Sequence, residues 1–293
     1  RLENAMGLRT RILVKLEGCN PTGSAKDRAV LAMLLDAEER GLLQPGGTLI
    51  EPTSGNTGIS LAALGAARGY RVILVMPAHM SRERMQLMRS YGAQVVLTEA
   101  ALGMAGAIRR AEELADTCPG SLILGQFTNP ANPAGHYRTT GPEIWAQTGG
   151  KIDWLIAGVG TGGTLSGTAQ YLKEKNPDIR IAAVEPASSP VLSGGAAGPH
   201  AIEGIGAGFV PQLLQQALCD RVIPVSDQQS MDMSRGLARL EGILAGVSSG
   251  AALAAAVQLA RQPEQAGKLL VAVLPDSGQR YLSTTLFEEA PDV

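Results

Sequence analysis

Apolar residues along this chain fall into two alternating rhythms. Short, nearly continuous apolar runs occupy residues 11–17, 48–51, 71–76, 94–98, 154–159, 180–184 and 268–274. They lack the in-out alternation of a half-exposed sheet, which predicts strands buried on both faces of a parallel sheet. Between them, residues 29–42, 57–69, 82–91, 163–174 and 249–261 carry apolar positions at helical spacing. The alternation predicts an α/β chain built on open parallel sheets with right-handed crossovers. Several Asn and Pro residues between Gln126 and Pro133 mark the expected hinge between two α/β units. Residues 186–211, rich in Gly, Ala and Pro and without clear periodicity, predict a long surface segment of the kind that often carries function. There is no internal repeat and no low-complexity linker.

Composition narrows the class. A chain of 293 residues with 45% hydrophobic and 18% charged residues is long enough for two cores and shows no signature of disorder. A net charge of −2 supplies no electrostatic footprint for nucleic acid or an anionic membrane. No apolar run is long enough to span a bilayer. The three cysteines, Cys19, Cys118 and Cys219, are widely spaced and odd in number. They match neither a disulfide framework nor a zinc site, so the expected setting is reducing and cytoplasmic, with no metal.

Candidate chemistry sits in three Gly-rich loops and one lysine. The run Gly158-Val-Gly-Thr-Gly-Gly-Thr164 follows a strand and opens a helix, where free backbone N–H groups make a ready anion site. The same run satisfies the dinucleotide fingerprint, with Glu185 about twenty residues on in the position of a ribose-binding acid. Alone it is open between a nicotinamide cofactor, a single phosphate and a tight packing turn. Two further loops, Glu51-Pro-Thr-Ser-Gly-Asn-Thr-Gly58 and Gly246-Val-Ser-Ser-Gly250, are read as further strand-to-helix joints, and three such joints in an open α/β fold would converge on one crevice. A dinucleotide does not account for the first of them. Lys26 lies in Asn20-Pro-Thr-Gly-Ser-Ala-Lys26-Asp-Arg28, in the first turn of an expected helix. A cation there opposes the helix dipole, and the same position depresses a lysine pKa in a way that suits Schiff-base chemistry. A solvated lysine paired with Asp27 is the alternative that the segment itself leaves open.

Taken together, these segments resemble the cysteine synthase (O-acetylserine sulfhydrylase) family of fold-type II pyridoxal-phosphate enzymes, over essentially the whole chain. The specific pieces are the Asn20–Arg28 cassette, residues 53–58, Thr140-Gly-Pro-Glu-Ile-Trp145, residues 160–164, Glu203-Gly-Ile-Gly-Ala-Gly208 and residues 246–250. The resemblance implies a tryptophan synthase β-like architecture of two open parallel-sheet α/β domains with the cofactor in the cleft between them. Residues 20–130 are the expected smaller domain, and residues 1–19 plus 131–293 the larger one carrying the phosphate loop. The family's usual Gly-Asn-Thr-Pro-Leu opening is absent, and a truncated start is the expectation that follows.

The implied roles are these. Lys26 forms the Schiff base with pyridoxal 5'-phosphate and moves the Cα proton. Gly160, Thr161, Gly162, Gly163 and Thr164 cup the phosphate. Asn56 meets the ring hydroxyl. Thr53, Ser54 and Thr57, with Gln126, clamp the substrate carboxylate. Ser248 meets the pyridine nitrogen, with Ser249 as the neighbouring alternative. Gly204 and Gly206 belong to a loop that closes over substrate. The implied reaction is β-replacement, making L-cysteine from O-acetyl-L-serine and sulfide through an aminoacrylate. Cystathionine β-synthase and serine or threonine dehydratase are the alternatives on the same scaffold. A nicotinamide enzyme recedes once the loop after Val159 is assigned to one phosphate. The segment from His136 to Trp145 is similar to B-type cysteine synthases, some of which accept thiosulfate, whereas residues 198–209 are closer to the A-type; B-type is the expected assignment. A homodimer is the implied assembly, with small-molecule substrates and neither nucleic acid nor membrane as partner.

Overall fold

The structure, a computed structural model, describes residues 1–288. In chain order it runs α1 (Leu2–Ala5), β1 (Arg11–Leu16), α2 (Lys26–Glu39), β2 (Thr48–Pro52), α3 (Asn56–Ala67), β3 (Arg71–Pro77), α4 (Arg82–Ser90), β4 (Gln94–Thr98), α5 (Gly103–Thr117) and β5 (Ser121–Ile123). It continues through α6 (Ala131–Arg138), α7 (Thr140–Gln147), β6 (Trp154–Gly158), α8 (Gly163–Lys175), β7 (Arg180–Pro186), β8 (Arg221–Val225), α9 (Asp227–Glu241), α10 (Val247–Ala260) and β9 (Leu269–Leu274). The chain divides into two compact units, one of Lys26–Gly135 and one of Arg1–Ala25 with the chain from His136 onward.

In the unit of residues 26–135 the strands lie in the order β4-β3-β2-β5, all parallel. The apolar run of β3 divides between its two faces as a doubly covered strand should. Val72, Leu74 and Met76 join Val30, Met33, Ile59, Leu61 and Met88 of α2, α3 and α4, while Ile73 and Val75 meet Ala107 and Ala111 of α5. In the other unit the order is β1-β9-β6-β7-β8, again all parallel. Ile156, Ala182 and Ala272 pack with Leu253 and Val257 of α10, while Leu155, Ala183 and Val271 face Leu165 and Leu172 of α8. Every residue of α10 except Gln258 is buried, and its alanines let it lie close against the sheet.

Four expectations differ from what folds. The unit boundaries fall at 25/26 and 135/136 rather than 19/20 and 130/131. Residues up to Ala25 are tied to the end of β9, with Ser24 bridged to Asp276 and the Ala25 N–H donating to the Pro275 carbonyl at 2.8 Å. At the other boundary Ala131 sits in the α2–α4 core and Gly135 packs on Ala32. Second, the hinge region ends in helix: residues 126–130 form turns, and residues 131–133 open α6, with Pro133 in its first turn, where a missing N–H costs nothing. Third, the 246–250 loop follows helix α9 rather than a strand. Its preceding apolar residues make only one antiparallel bridge, Ala245 to Ser277. Fourth, past Pro186, the last residue of β7, the segment to residue 211 contains no helix or strand but is not simply surface, for Ile202 and Ile205 are core residues.

Candidate active site

The unit of residues 26–135 carries Lys26, the expected Schiff-base lysine, and one cluster of hydroxyl and amide groups. Lys26 is the first residue of α2, half-buried, as its cassette predicts. The carboxylate of Asp27 beside it is buried and accepts from the Ser60 hydroxyl at 2.6 Å, which locks the first turn of α2 to α3. Residues 53–55 link β2 to α3, and Gly55 stands at the N-cap in extended conformation. Thr53 is buried, its N–H donating to Val75 at 3.0 Å, and Ser54 and Asn56 are half-buried. Thr57, in the first turn of α3, donates its hydroxyl to Oε1 of Gln126 at 2.6 Å. That bond orients the Gln126 amide, leaving its –NH2 as the outward donor.

Gln126 is held by a group that sequence reasoning passed over. Glu51, buried near the end of β2, accepts backbone N–H groups from Leu124 and Gly125 on Oε2 at 3.1 Å, and from Gln126 on Oε1 at 3.3 Å. Burial raises its pKa to about 7 against the lowering effect of those three bonds. The signal was present in the sequence as an acid ending an otherwise apolar buried strand.

The second unit carries an anion cup. The chain leaves β6 at Gly158, turns through Gly162 in the left-handed region (φ +84°) and enters α8. The backbone N–H groups of Gly160, Gly162 and Thr164 have no acceptor among the described residues, as expected of a helix start shaped for an anion. The glycines are sterically required, for a Cβ on Gly160 would lie 2.3 Å from the Gly204 carbonyl oxygen. Thr161 accepts from the Gly163 N–H at 3.4 Å. His136 joins the cup unforeseen: it is buried, with Nδ1 2.9 Å from the Thr140 hydroxyl and Nε2 3.1 Å from that of Thr164. Gly204, at φ +93°, borders Ser248, whose buried hydroxyl makes no hydrogen bond among the described residues. Ser249 donates its own hydroxyl to the Asp276 carbonyl at 3.4 Å, so of the two serines Ser248 is the one with a donor to spare.

Glu185, the residue in the ribose position of the dinucleotide fingerprint, is spent on its own loop. It accepts from the Leu192 N–H at 2.7 Å and from both the N–H and the hydroxyl of Ser193. The cup therefore lacks the acid that a dinucleotide needs and retains the amides that one phosphate needs. No cluster of three or more potential metal ligands occurs among the described residues.

A lysine at a helix start, a glycine cup for a single phosphate and a hydroxyl to meet a ring nitrogen fit pyridoxal phosphate. The profile of the pyridoxal-phosphate dependent enzymes matches residues 1–276, and the chain belongs to that family. Among its relatives are proteins named cysteine synthase. It is 51% identical to cysteine synthase 3 of Caenorhabditis elegans over 97% of this chain and 84% of that protein. It is 53% identical to cysteine synthase of Staphylococcus aureus over 94% of this chain and 89% of that protein. Among solved structures, cysteine synthase (OASS) of Entamoeba histolytica is 44% identical, with a TM-score of 0.94 over 97% of this chain and 86% of that one.

Proposed function

We propose that this protein makes L-cysteine from O-acetyl-L-serine and sulfide by β-replacement, with pyridoxal 5'-phosphate held covalently by Lys26. The observation that carries the proposal is the identity above one half, over nearly the whole chain, with proteins named cysteine synthase. When bound, the cofactor supplies an electron sink that makes the Cα proton of an attached amino acid acidic. The protein supplies the rest. Residues Gly160 to Thr164 hold the phosphate through backbone N–H groups and the helix dipole. Asn56 hydrogen-bonds the ring hydroxyl. Thr53, Ser54, Thr57 and Gln126 take the substrate carboxylate, and the orientation of the Gln126 amide by Thr57 supports this role. Lys26 removes the Cα proton as general base and returns it after sulfide has added at Cβ, so the kinetics are ping-pong. At Ser248 a hydroxyl cannot keep the ring nitrogen protonated as a carboxylate would. Ser248 would thus leave the cofactor a weaker electron sink than an acid at that position would.

The leaving group in this reading is an uncharged ester. A phosphoserine would bring nearly two negative charges into the site and would need a fixed cation, best an arginine fork. Neither residues 53–58 nor residues 203–209 contain a basic residue. Arg221 lies opposite Ala182, away from the carboxyl end of β7, with its guanidinium donating to Gln262 at 2.8 Å. The three cysteines form no disulfide among the described residues, which supports a reducing cytoplasmic setting, and no described helix is long and apolar enough to cross a membrane. A homodimer completes the proposal. The test is a matrix of O-acetylserine, O-phosphoserine and serine against sulfide, thiosulfate and homocysteine. Cysteine from O-acetylserine and sulfide is the expected dominant activity; a higher kcat/KM for serine with homocysteine would overturn it.

A further inference from the structure

Where the pairing of β2 with β5 stops, three backbone N–H groups are left without a strand partner, and Glu51 takes all three. The register ends at Ile50 opposite Ile123. The next three N–H groups, of Leu124, Gly125 and Gln126, all point at the Glu51 carboxylate. From there a short chain of bonds leads to the Gln126 side chain. The Gln126 carbonyl accepts from the Asn132 amide at 2.9 Å, and its Oε1 accepts the Thr57 hydroxyl at 2.6 Å. We propose that Glu51 is a positioning residue for the substrate carboxylate: it sets the backbone of residues 124–126 so that Thr57 can hold the Gln126 amide with its –NH2 turned outward. The proposal rests on the assignment of Thr57 and Gln126 to the carboxylate clamp.

The device depends on ionisation, because a carboxylate accepts strongly on both oxygens, whereas the hydroxyl oxygen of a protonated carboxyl is a poor acceptor and carries a donor. A proton would settle on Oε1, which has the single and longer bond, and would face the Gln126 N–H donor to donor. Burial has raised the Glu51 pKa to about 7, so this occurs as the pH falls through neutrality. Burial and the three backbone bonds are the causes of that shift, with no charged side chain among them, although α2, in the same core as Leu49 of β2, opens with Lys26, Asp27 and Arg28. Helix α3, strand β5 and residues 124–127 carry no ionisable side chain, Arg71 of β3 is exposed, and so are Arg109, Arg110, Glu112, Glu113 and Asp116 of α5.

The experiment is steady-state kinetics of the holoenzyme at pH 6 to 8 for wild type, Glu51→Gln, Gln126→Ala and the double variant. The two half-reactions are separated as kcat/KM for O-acetylserine and kcat/KM for sulfide. Glu51→Gln, a neutral isostere, should lower kcat/KM for O-acetylserine about tenfold at pH 8. It should leave kcat/KM for sulfide within about twofold, since the amino acid is by then covalently held. It should also flatten the wild-type fall in the O-acetylserine value below pH 7. On the Gln126→Ala background the same substitution should add nothing, the mark of residues acting as a unit. If Gln126→Ala lowers the O-acetylserine value and Glu51→Gln does not, or if the two effects add, Glu51 does not position Gln126 although the clamp stands. If Gln126→Ala and Thr57→Ala are both silent, the clamp assignment itself is wrong and the proposal falls with it. Should Glu51→Gln not fold, the comparison of wild type with Gln126→Ala still decides. Once the titration of the substrate's own α-amino group is divided out, the remaining pH dependence near 7 must be lost in Gln126→Ala, and its persistence refutes the proposal.

Discussion

Substituting alanine for Gly160 places a methyl group where the structure has no room. The added Cβ would lie 2.3 Å from the Gly204 carbonyl oxygen, about 1.1 Å inside ordinary van der Waals contact. The obstacle is backbone, and it is pinned. The Gly206 N–H donates to the Val159 carbonyl at 3.0 Å, and His200 donates to the Gly206 carbonyl at 2.9 Å. Ile205 lies buried against Gly158 in the same turn. Overpacking of this kind costs about 1–3 kcal/mol, and losing the Gly206–Val159 bond adds about 1 kcal/mol. The cost should be felt first where the cup must keep its amides aligned. A distortion of about 2–4 kcal/mol then weakens cofactor binding by about 30- to 1000-fold. Titration of pyridoxal phosphate into the apo variant, followed by absorbance and paired with a thermal melt, measures both effects. Gly204→Ala is the control. Its left-handed backbone is strained by about 1–2 kcal/mol with a Cβ, but the nearest atom to that Cβ is the Ser248 hydroxyl oxygen at 3.7 Å. It should therefore lower the melting temperature with only a few-fold change in cofactor affinity. A Gly160→Ala protein with wild-type affinity and wild-type melting temperature would refute the packing argument.

Lys26→Ala should abolish turnover and the borohydride-reducible link to the cofactor while the melting temperature of the apo form stays near wild type; a peptide map that still showed a cofactor-modified lysine would move the assignment elsewhere. Ser248→Ala should lower kcat with little change in stability, because its hydroxyl has no hydrogen-bond partner among the described residues. Ser249→Ala should instead cost about 1 kcal/mol of stability through its bond to Asp276, so the reverse pattern in melts and kinetics would exchange the two assignments. With saturating sulfide, kcat/KM for O-acetylserine should exceed that for O-phosphoserine, and a preference for the phosphate ester would point to an arginine that folding brings into the site.

The strands were legible because burial on both faces leaves its mark on every residue of a strand. Residues 71–76, for example, are apolar throughout, and β3 does face two cores. Lys26, the glycine cup and the loop after β2 were legible because each is a continuous segment whose role depends on local backbone, a helix start or a turn that only glycine allows. Weakly patterned elements escaped. Strand β8 is interrupted by Pro224 and β5 has only three residues, whereas α5 and α9 escaped although each carries an amphipathic pattern. What only tertiary structure decided are the contacts between distant segments. Glu51 reaches the N–H groups of residues 124–126, His136 reaches Thr164, and Ser249, unlike Ser248, reaches the Asp276 carbonyl. The fate of Glu185 belongs to the same kind. Its sequence position matched a ribose ligand, and its hydrogen bonds to Leu192 and Ser193 rule that out. In each case a polar group's partner is set by which chain end or loop packs beside it, and a hydrogen bond leaves no periodic trace in the sequence from which its other half could be found.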